Sequence, residues 1–342
     1  MSPSPSYRPP FFLKNGLIMT LYTALQISKT WQNHTHESPP PYQQKIFTGA
    51  GGVPIFGIYA IPPNPKGTII ATYGIVGDLE NQWFLKILGR QAFARGYAVV
   101  LFDWRAHGKT GKLSPTLQSD GLYEGEDFVE IANQSLALGC PAPLRLLGFS
   151  LGGQLALWGL KAAQSSSNLD IAGAAVMCPS LDSNRSLTYL ENHPVGKYLE
   201  KAITRQLQIL AHQLNQNHPN IFNPEAIARV NSIRSFDHEL VIEKLGFATV
   251  EDYFTASSGL QILPQLHKPT LILYAQDDPL FDPSIIPDLK AIAKQNKAID
   301  LWLTPSGGHV CHISSKSCQK QWGDRDPWWA WNRILNWFDT HV

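Results

Sequence analysis

Short apolar runs alternate along most of this chain with longer segments in which apolar residues recur every three or four positions. Apolar strands that alternate with helices are typical of a parallel sheet covered on both faces. The predicted strands span residues 68–72, 98–102, 144–149, 171–177, 270–275 and 298–303, and the predicted helices span 81–95, 124–138, 151–163, 285–295 and 328–339. The predicted fold class is therefore α/β, a mostly parallel twisted sheet with helices on both faces.

Two segments depart from this alternation. Residues 44–47 and 55–60 are β-like and are separated by a glycine-rich turn, which predicts an antiparallel hairpin. Residues 179–263 lack a convincing parallel strand and contain helical patterns. An insertion between two strands would lie over their C-terminal edge, where open α/β sheets bind ligands, and this predicts a helical lid that shapes substrate access. The predicted domains are an N-terminal segment packed on the core (1–43), the core (44–178 and 264–342) and the lid (179–263).

The N-terminal segment contains an apolar run over residues 16–27 that superficially resembles a secretory signal, since Arg8 and Lys14 precede it. Polar residues such as Thr20 and Gln26 interrupt the run, and it is too short to span a bilayer. We interpret it as an amphipathic segment. It either packs on the domain, which the pattern favours, or lies near a membrane surface.

Composition narrows the possible classes of protein. Of the 342 residues, 44% are hydrophobic and 16% are charged, which indicates a globular chain and excludes a disordered one. The formal net charge of +1 gives no electrostatic reason to expect nucleic acid or an anionic membrane as a partner. The four cysteines show neither a C-x-x-C pair nor metal-ligand spacing, so we expect free thiols, no metal and a reducing, cytoplasmic compartment.

The residues 148–152 form a G-x-S-x-G pattern between an apolar strand and an apolar helix. This context is that of a nucleophile elbow, a sharp turn that exposes a serine hydroxyl at the edge of a sheet. Gly148 and Gly152 leave room for the backbone to come close, and Ser150 is the predicted nucleophile. The turn also directs the N–H of Leu151, at the helix start, toward a developing oxyanion.

A nucleophilic serine needs a histidine base and a carboxylate that orients it, and after an elbow these follow in the order acid, histidine. The strand over residues 270–275 leads directly into Asp277 and Asp278. Asp278 is favoured because the proline after it holds the loop extended, while Asp277 stays open and Asp182, after the preceding strand, is a third candidate. A turn rich in Asp and Pro is the structural alternative for such a loop.

The next strand leads into two glycines and His309, which can bring an imidazole back over the sheet edge. His309 is the predicted base, and the nearby His312 is its rival. The second oxyanion donor should come from the loop after the strand over residues 68–72, and the backbone N–H of Ile75 is our choice. The charged segment 103–108 is expected to be a structural turn bonded through Asp103 and Arg105.

Several motifs together resemble those of the α/β-hydrolase superfamily, and within it the YheT-like (hydrolase-4) family. The resemblance extends over most of the chain. It rests on Asn15-Gly16 with Met19-Thr20, Ser119-Asp120-Gly121 before Glu126-Asp127, the elbow at Ser150, Ser232 with Phe236-Asp237, Gly246-Phe247 with Asp252-Tyr253-Phe254, Asp277-Asp278-Pro279 and Gly307-Gly308-His309. The chain departs from the family at Tyr73 and Leu17, where relatives usually carry histidine.

The resemblance implies a serine hydrolase of esterase or lipase type, with Ser150, Asp278 and His309 in the matching positions. Carboxylic esters, including lipid esters, are the substrates associated with the family. The predicted function is therefore hydrolysis of a small-molecule or lipid ester through an acyl-enzyme, without a metal or an organic cofactor. Two alternatives stay open: a binding protein that keeps the fold without turnover, and an acyltransferase that uses the same triad.

Overall fold

A computed structural model describes residues 5–165 and 169–342 of the protein. Numbered along the chain, its described strands are β1 (Gln43–Thr48), β2 (Pro54–Ala60), β3 (Thr68–Thr72), β4 (Ala98–Phe102), β5 (Leu144–Phe149), β6 (Ile171–Met177), β7 (Thr270–Ala275) and β8 (Ile299–Thr304). They join in one sheet, in the order β1-β2-β4-β3-β5-β6-β7-β8.

Only the β1 edge of the sheet is antiparallel. β1 pairs with β2, and β2 with β4, in antiparallel register, whereas the strands from β4 to β8 are parallel to their neighbours. The parallel strands therefore end at one edge, and the loops that leave them meet there. This arrangement confirms both the predicted hairpin and the predicted α/β fold class.

The helices follow the strands in the predicted alternation, with smaller pieces between them. The α-helices are α1 (Gly16–Tyr22), α2 (Ser28–Thr30), α3 (Trp83–Ala94), α4 (Gly108–Leu113), α5 (Glu124–Ala137), α6 (Leu151–Ala163), α7 (Ser183–Asn192), α8 (Gly196–Asn217), α9 (Pro224–Arg229), α10 (Ile233–Phe236), α11 (Ile242–Leu245), α12 (Val250–Ser257), α13 (Gly259–Ile262), α14 (Ile285–Gln295), α15 (Lys316–Trp322) and α16 (Trp329–His341). Two π-helical turns span Thr23–Ile27 and Asp237–Val241, and 3-10 turns span Phe11–Leu13, Trp31–His34, Ala50–Gly52 and Leu263–Gln265.

The central strands β3, β4, β5 and β7 are buried along their whole length, which is why their sequences are continuously apolar instead of alternating. The predicted strands and the long helices of the core are confirmed to within two residues at each end. The short helices α4 and α15 were not predicted, because each has fewer than eight residues and shows too little periodicity to distinguish it from a loop.

The chain between β6 and β7 contains α7 to α13, of which α8 is the longest, and this agrees with the helical patterns in the sequence of residues 179–263. These helices have a hydrophobic cluster of their own, separate from that of the sheet, with Leu207, Phe236, Val241 and Tyr253 at its centre. Their amphipathic faces meet each other, so the segment forms a helical layer instead of extending the sheet.

The N-terminal segment packs on the domain through one side of α1 and of the π-helical turn after it. Met19, Thr23 and Ile27 are buried there, and the Tyr7 hydroxyl donates to the carbonyl of Ile313 at 2.8 Å. Among the described residues, no helix combines the length and the apolarity that crossing a bilayer requires.

Candidate active site

Ser150 occupies the turn between β5 and α6, at the edge where the parallel strands end. Its backbone has φ 56° and ψ −127°, a sparsely populated conformation that costs about 1–3 kcal/mol. A Cβ atom at Gly148 would overlap the carbonyl of Gly152, and one at Gly152 would overlap the carbonyl of Tyr73. The two glycines therefore permit the sharp turn that presents the serine.

Three side chains that are distant in sequence form one hydrogen-bonded row at this edge. His309 Nε2 lies 2.9 Å from Ser150 Oγ, and His309 Nδ1 lies 2.9 Å from Asp278 Oδ2. Because a carboxylate only accepts hydrogen bonds, its contact assigns the proton of the neutral imidazole to Nδ1. Nε2 is then the acceptor for the Ser150 hydroxyl.

The loops after β7 and β8 hold the acid and the histidine in place. Asp278 is 5% exposed, and its second carboxylate oxygen, Oδ1, accepts the N–H of Leu280 at 2.9 Å. The backbone N–H of His309 donates to Thr20 Oγ1 of α1 at 2.9 Å. The imidazole is thus positioned from both sides, by the sheet edge and by the N-terminal segment.

The two alternative carboxylates have other partners. Asp277 Oδ1 accepts the N–H of Gly308 at 3.0 Å, which stabilises the loop before the histidine. Asp182 caps the start of α7, where its side chain accepts the N–H of Arg185 at 3.0 Å. Of the three candidate acids, the structure places Asp278 against the imidazole.

The alternative histidine, His312, lies in the core and not beside Ser150. Its Nε2 is 2.9 Å from Thr304 Oγ1, and its ring stacks on that of Trp329 with the centroids 5.9 Å apart. Burial lowers the pKa of His312 to about 3, so the ring stays neutral in its packed position. The structure therefore brings His309 to the serine.

The two residues predicted to supply oxyanion donors lie on separate segments next to Ser150. Leu151 is the first residue of α6, where a backbone N–H has no acceptor within the helix. Ile75 belongs to the loop after β3. A Cβ atom at Gly74 would lie 2.7 Å from Ser150 Cβ, so a glycine allows this loop to approach the serine closely.

Ser150, Leu151 and Ile75 line one cavity of about 70 Å³. Much of its wall is apolar and comes from the helices between β6 and β7 and from the loop after β7. The apolar side chains from these two parts are Leu187, Leu190, Ile203, Ile233, Phe254, Leu280 and Phe281. Such a wall suits an apolar group held next to the serine.

Comparison with known proteins identifies the family. A family of proteins with the alpha/beta hydrolase fold matches residues 67–316. Along 98% of its length, the chain is 51% identical to slr0264 of Synechocystis sp., which is named an esterase and of which 95% is covered. This protein is an α/β hydrolase.

Two further likenesses are more distant. YheT of Escherichia coli, also named an esterase, is 25% identical over 81% of this hydrolase and 78% of its own length. The esterase Pf2001 of Pyrococcus furiosus superimposes with a TM-score of 0.54 and 15% identity, over 88% of this chain and 92% of that one. The first likeness supports the YheT-like family, and the second concerns the fold alone.

Tyr73 anchors the loop that contains Ile75. Its hydroxyl donates to Asp103 Oδ1 at 2.6 Å, and the same carboxylate oxygen accepts the N–H of Leu79 at 2.8 Å. Burial raises the pKa of Asp103 to about 6. The buried ion pair between Arg105 and Asp127, at 2.7 Å, completes the structural turn expected over residues 103–108.

His107 also supports this loop, a role that the sequence did not predict. Its Nδ1–H donates to the carbonyl of Arg105 at 2.8 Å, which leaves Nε2 to accept the N–H of Val76 at 3.2 Å. Burial lowers the pKa of His107 to about 4, so the ring stays neutral and can accept. Val76 has φ 58°, a conformation uncommon for a β-branched residue, and no sequence signal marks it.

Two buried carboxyl groups line the cavity and were not predicted. Asp120, in the loop before α5, is 4% exposed and Asp237 is 2% exposed. Gln118 Nε2 donates to Asp237 Oδ1 at 3.3 Å. Burial, and then the charge of Glu124, raise the pKa of Asp120 to about 7. Burial, and then the charge of Asp120, raise the pKa of Asp237 well above its usual value.

We expect the Asp237→Asn variant to lose part of the pH dependence of stability. In the folded hydrolase, Asp120 and Asp237 hold their protons to a higher pH than an unfolded aspartate, which ionises at about pH 4. The contribution of these two carboxyl groups to the free energy of unfolding should therefore fall as the pH rises from about 5 to about 7, by on the order of 1 kcal/mol per pH unit for each group. Urea unfolding across this range should give a shallower slope for the variant.

The control is Glu130→Gln, a change to an exposed carboxylate on α5. Its stability should follow the wild type across the same pH range. Equal slopes for Asp237→Asn and the wild type would contradict the assignment of a protonated, buried Asp237.

Proposed function

We propose that this hydrolase is a serine esterase in which Ser150 is the nucleophile, His309 is the general base and acid, and Asp278 orients the imidazole. The observation that carries the proposal is the position of His309, 2.9 Å from the serine oxygen on one side and 2.9 Å from the carboxylate on the other. This geometry matches the requirement that a base lie within hydrogen-bond reach of the proton it removes.

In the first half of the reaction, Ser150 Oγ attacks the carbonyl carbon of the ester while its proton passes to His309 Nε2. The carbonyl oxygen becomes an oxyanion, which the N–H groups of Leu151 and Ile75 stabilise. Asp278 stabilises the imidazolium cation through Nδ1–H. The imidazolium then gives its proton to the alcohol oxygen as the carbon–oxygen bond breaks, which leaves the acyl group on Ser150.

In the second half, His309 Nε2 takes a proton from water, and the hydroxide oxygen attacks the acyl carbon. The same two N–H groups stabilise the second oxyanion. The proton returns from His309 to Ser150 Oγ as the acyl–serine bond breaks, and a carboxylic acid leaves. The serine, the imidazole and the carboxylate are restored, so the cycle consumes one water and one ester.

The apolar wall of the cavity supports an ester with an apolar acyl or alcohol part. Leu187, Leu190 and Phe254 contribute to it from helices of the segment 179–263. We propose that this segment is a lid, because side chains of its helices line the cavity that contains Ser150. A substrate that fills the cavity displaces water from these side chains, which favours binding by about 25 cal/mol per Å² of apolar surface buried.

A fluorophosphonate probe tests the nucleophile directly, because it forms a covalent bond with an activated serine. We expect one adduct per native chain, located on Ser150 by peptide mapping, and a slower reaction when a competing p-nitrophenyl ester is present. Urea-unfolded protein is the control, because it keeps the serine but loses the row that activates it. An adduct on another serine, or an unreactive native protein, would refute the assignment.

A further inference from the structure

Large apolar side chains are exposed along the N-terminal segment. Phe11 is 84% exposed, Phe12 61%, Ile18 52%, Leu21 41% and Leu25 66%. They lie within fifteen consecutive residues, the densest such group in the described part of the chain. Exposed apolar side chains are ordinary when scattered, but a contiguous group of them marks a surface that contacts another apolar phase.

The helical geometry separates these residues from those that hold the segment on the domain. Met19, Thr23 and Ile27 recur every four residues and are buried. Ile18 and Leu21, three residues apart, lie on the opposite side of the helix, and Leu25 continues that side. A surface helix normally presents polar residues there. This segment is thus apolar on both sides, and packing on the domain accounts for only one of them.

The charges in this segment have one sign. Residues 1–36 contain no Asp or Glu but include Arg8, Lys14 and Lys29, all of which are exposed. Lys29 follows Leu25 by four residues and so continues the outer side of the helix, and Lys14 Nζ lies 5.0 Å from the centre of the Phe11 ring. The net charge of the whole chain, +1, conceals this local excess because every acidic residue lies further along.

We propose that this outer side is a docking surface for an anionic lipid bilayer. We call it the N-terminal face and define it by Phe11, Phe12, Ile18, Leu21 and Leu25, with Lys14 and Lys29 beside them. Apolar side chains that enter the boundary between headgroups and acyl chains, combined with lysines that attract anionic headgroups, are the two contributions that hold a helix in the plane of a bilayer.

The N-terminal face belongs to the element that supports the candidate catalytic histidine. Thr20 Oγ1 on α1 accepts the backbone N–H of His309. A Cβ atom on Gly16 would overlap the carbonyl of Asp277, and one on Gly308 would overlap the carbonyl of Gly16. The docking surface and the histidine loop are therefore on opposite sides of one helix, whose diameter is about 10 Å. Docking would hold the active-site edge of the sheet near the bilayer.

Vesicle binding tests the proposal without relying on activity. The full chain is sedimented with vesicles of phosphatidylcholine mixed with phosphatidylglycerol, and with vesicles of phosphatidylcholine alone. We expect the wild type to bind the anionic vesicles at least about tenfold more strongly, and to lose this preference as salt screens the lysines. The double variant Leu21→Ser/Leu25→Ser should bind the anionic vesicles at least about tenfold more weakly than the wild type.

The matched control is Ile46→Ser/Ile221→Ser, since these isoleucines are 53% and 50% exposed but lie outside the segment. It should bind as the wild type does, and both double variants should hydrolyse a soluble short-chain ester at the wild-type rate. A wild type that binds neither kind of vesicle would overturn the proposal. So would a concentration-dependent dimer that the Leu21→Ser/Leu25→Ser variant fails to form, because a second copy would then cover the face.

Discussion

Replacing Ser150 by alanine should lower kcat/KM for a p-nitrophenyl ester by at least about 10⁴-fold. The variant keeps the cavity, the proposed oxyanion donors and the His309–Asp278 pair, but it has no oxygen that can form an acyl-enzyme. The activity that remains would come from binding and from stabilisation of charge alone. Steady-state hydrolysis of the acetyl and butyryl esters measures the loss, and the melting temperature should stay close to that of the wild type.

The control for this variant is Ser180→Ala. Ser180 lines the same cavity, and its backbone N–H donates to the carbonyl of Ser150 at 3.1 Å. Because the substitution keeps that backbone contact, it should cost less than about tenfold in kcat/KM. If Ser150→Ala kept wild-type turnover, or if the two variants lost similar activity, the nucleophile would lie elsewhere.

Asp278→Asn should lower kcat by about 10³- to 10⁴-fold while the fold is retained. An asparagine can donate its amide N–H to His309 Nδ1, which would place the imidazole proton on Nε2. The nitrogen that faces Ser150 Oγ at 2.9 Å would then be unable to accept the serine proton. The asparagine also lacks the negative charge that stabilises the imidazolium. The fluorophosphonate labelling rate should fall together with kcat.

Asp277→Asn distinguishes the two adjacent aspartates. Asp277 stabilises the histidine loop through the N–H of Gly308, and an asparagine can keep that contact because its carbonyl oxygen also accepts. We therefore expect a loss of less than about tenfold. A larger loss for Asp277→Asn than for Asp278→Asn would assign the triad acid to Asp277.

The order of the chemical groups along the chain was predictable because each is tied to a local pattern. Ser150 follows a wholly apolar strand and precedes an apolar helix, which places it on a strand-to-helix turn. The loops with Asp278 and His309 follow later strands, and parallel strands end at one edge. The sequence therefore predicts that these groups approach one another, and the observed distances of 2.9 Å agree with that.

The contacts that surround this row were not predictable in the same way. Val76 bonds to His107 Nε2, and Asp120 lies beside Asp237 within one cavity wall. Each pair joins residues on segments that are distant along the chain, and no local pattern indicates which partner each side chain or N–H contacts. The short helices α4 and α15 were not predicted either, because a helix of so few residues shows no reliable period of apolar positions.

By itself, the sequence determined the strand and helix alternation, the hairpin, the serine turn and the family, since all of these depend on patterns within a few neighbouring residues. The sequence favoured Asp278 over Asp277 and His309 over His312, but only the tertiary structure gives the contacts of Asp278 with His309 and of His309 with Ser150. It alone showed that α1 is apolar on its solvent side as well as on its buried side. Which side of a helix meets water, and which of two adjacent carboxylates meets an imidazole, depends on packing between segments that are distant along the chain.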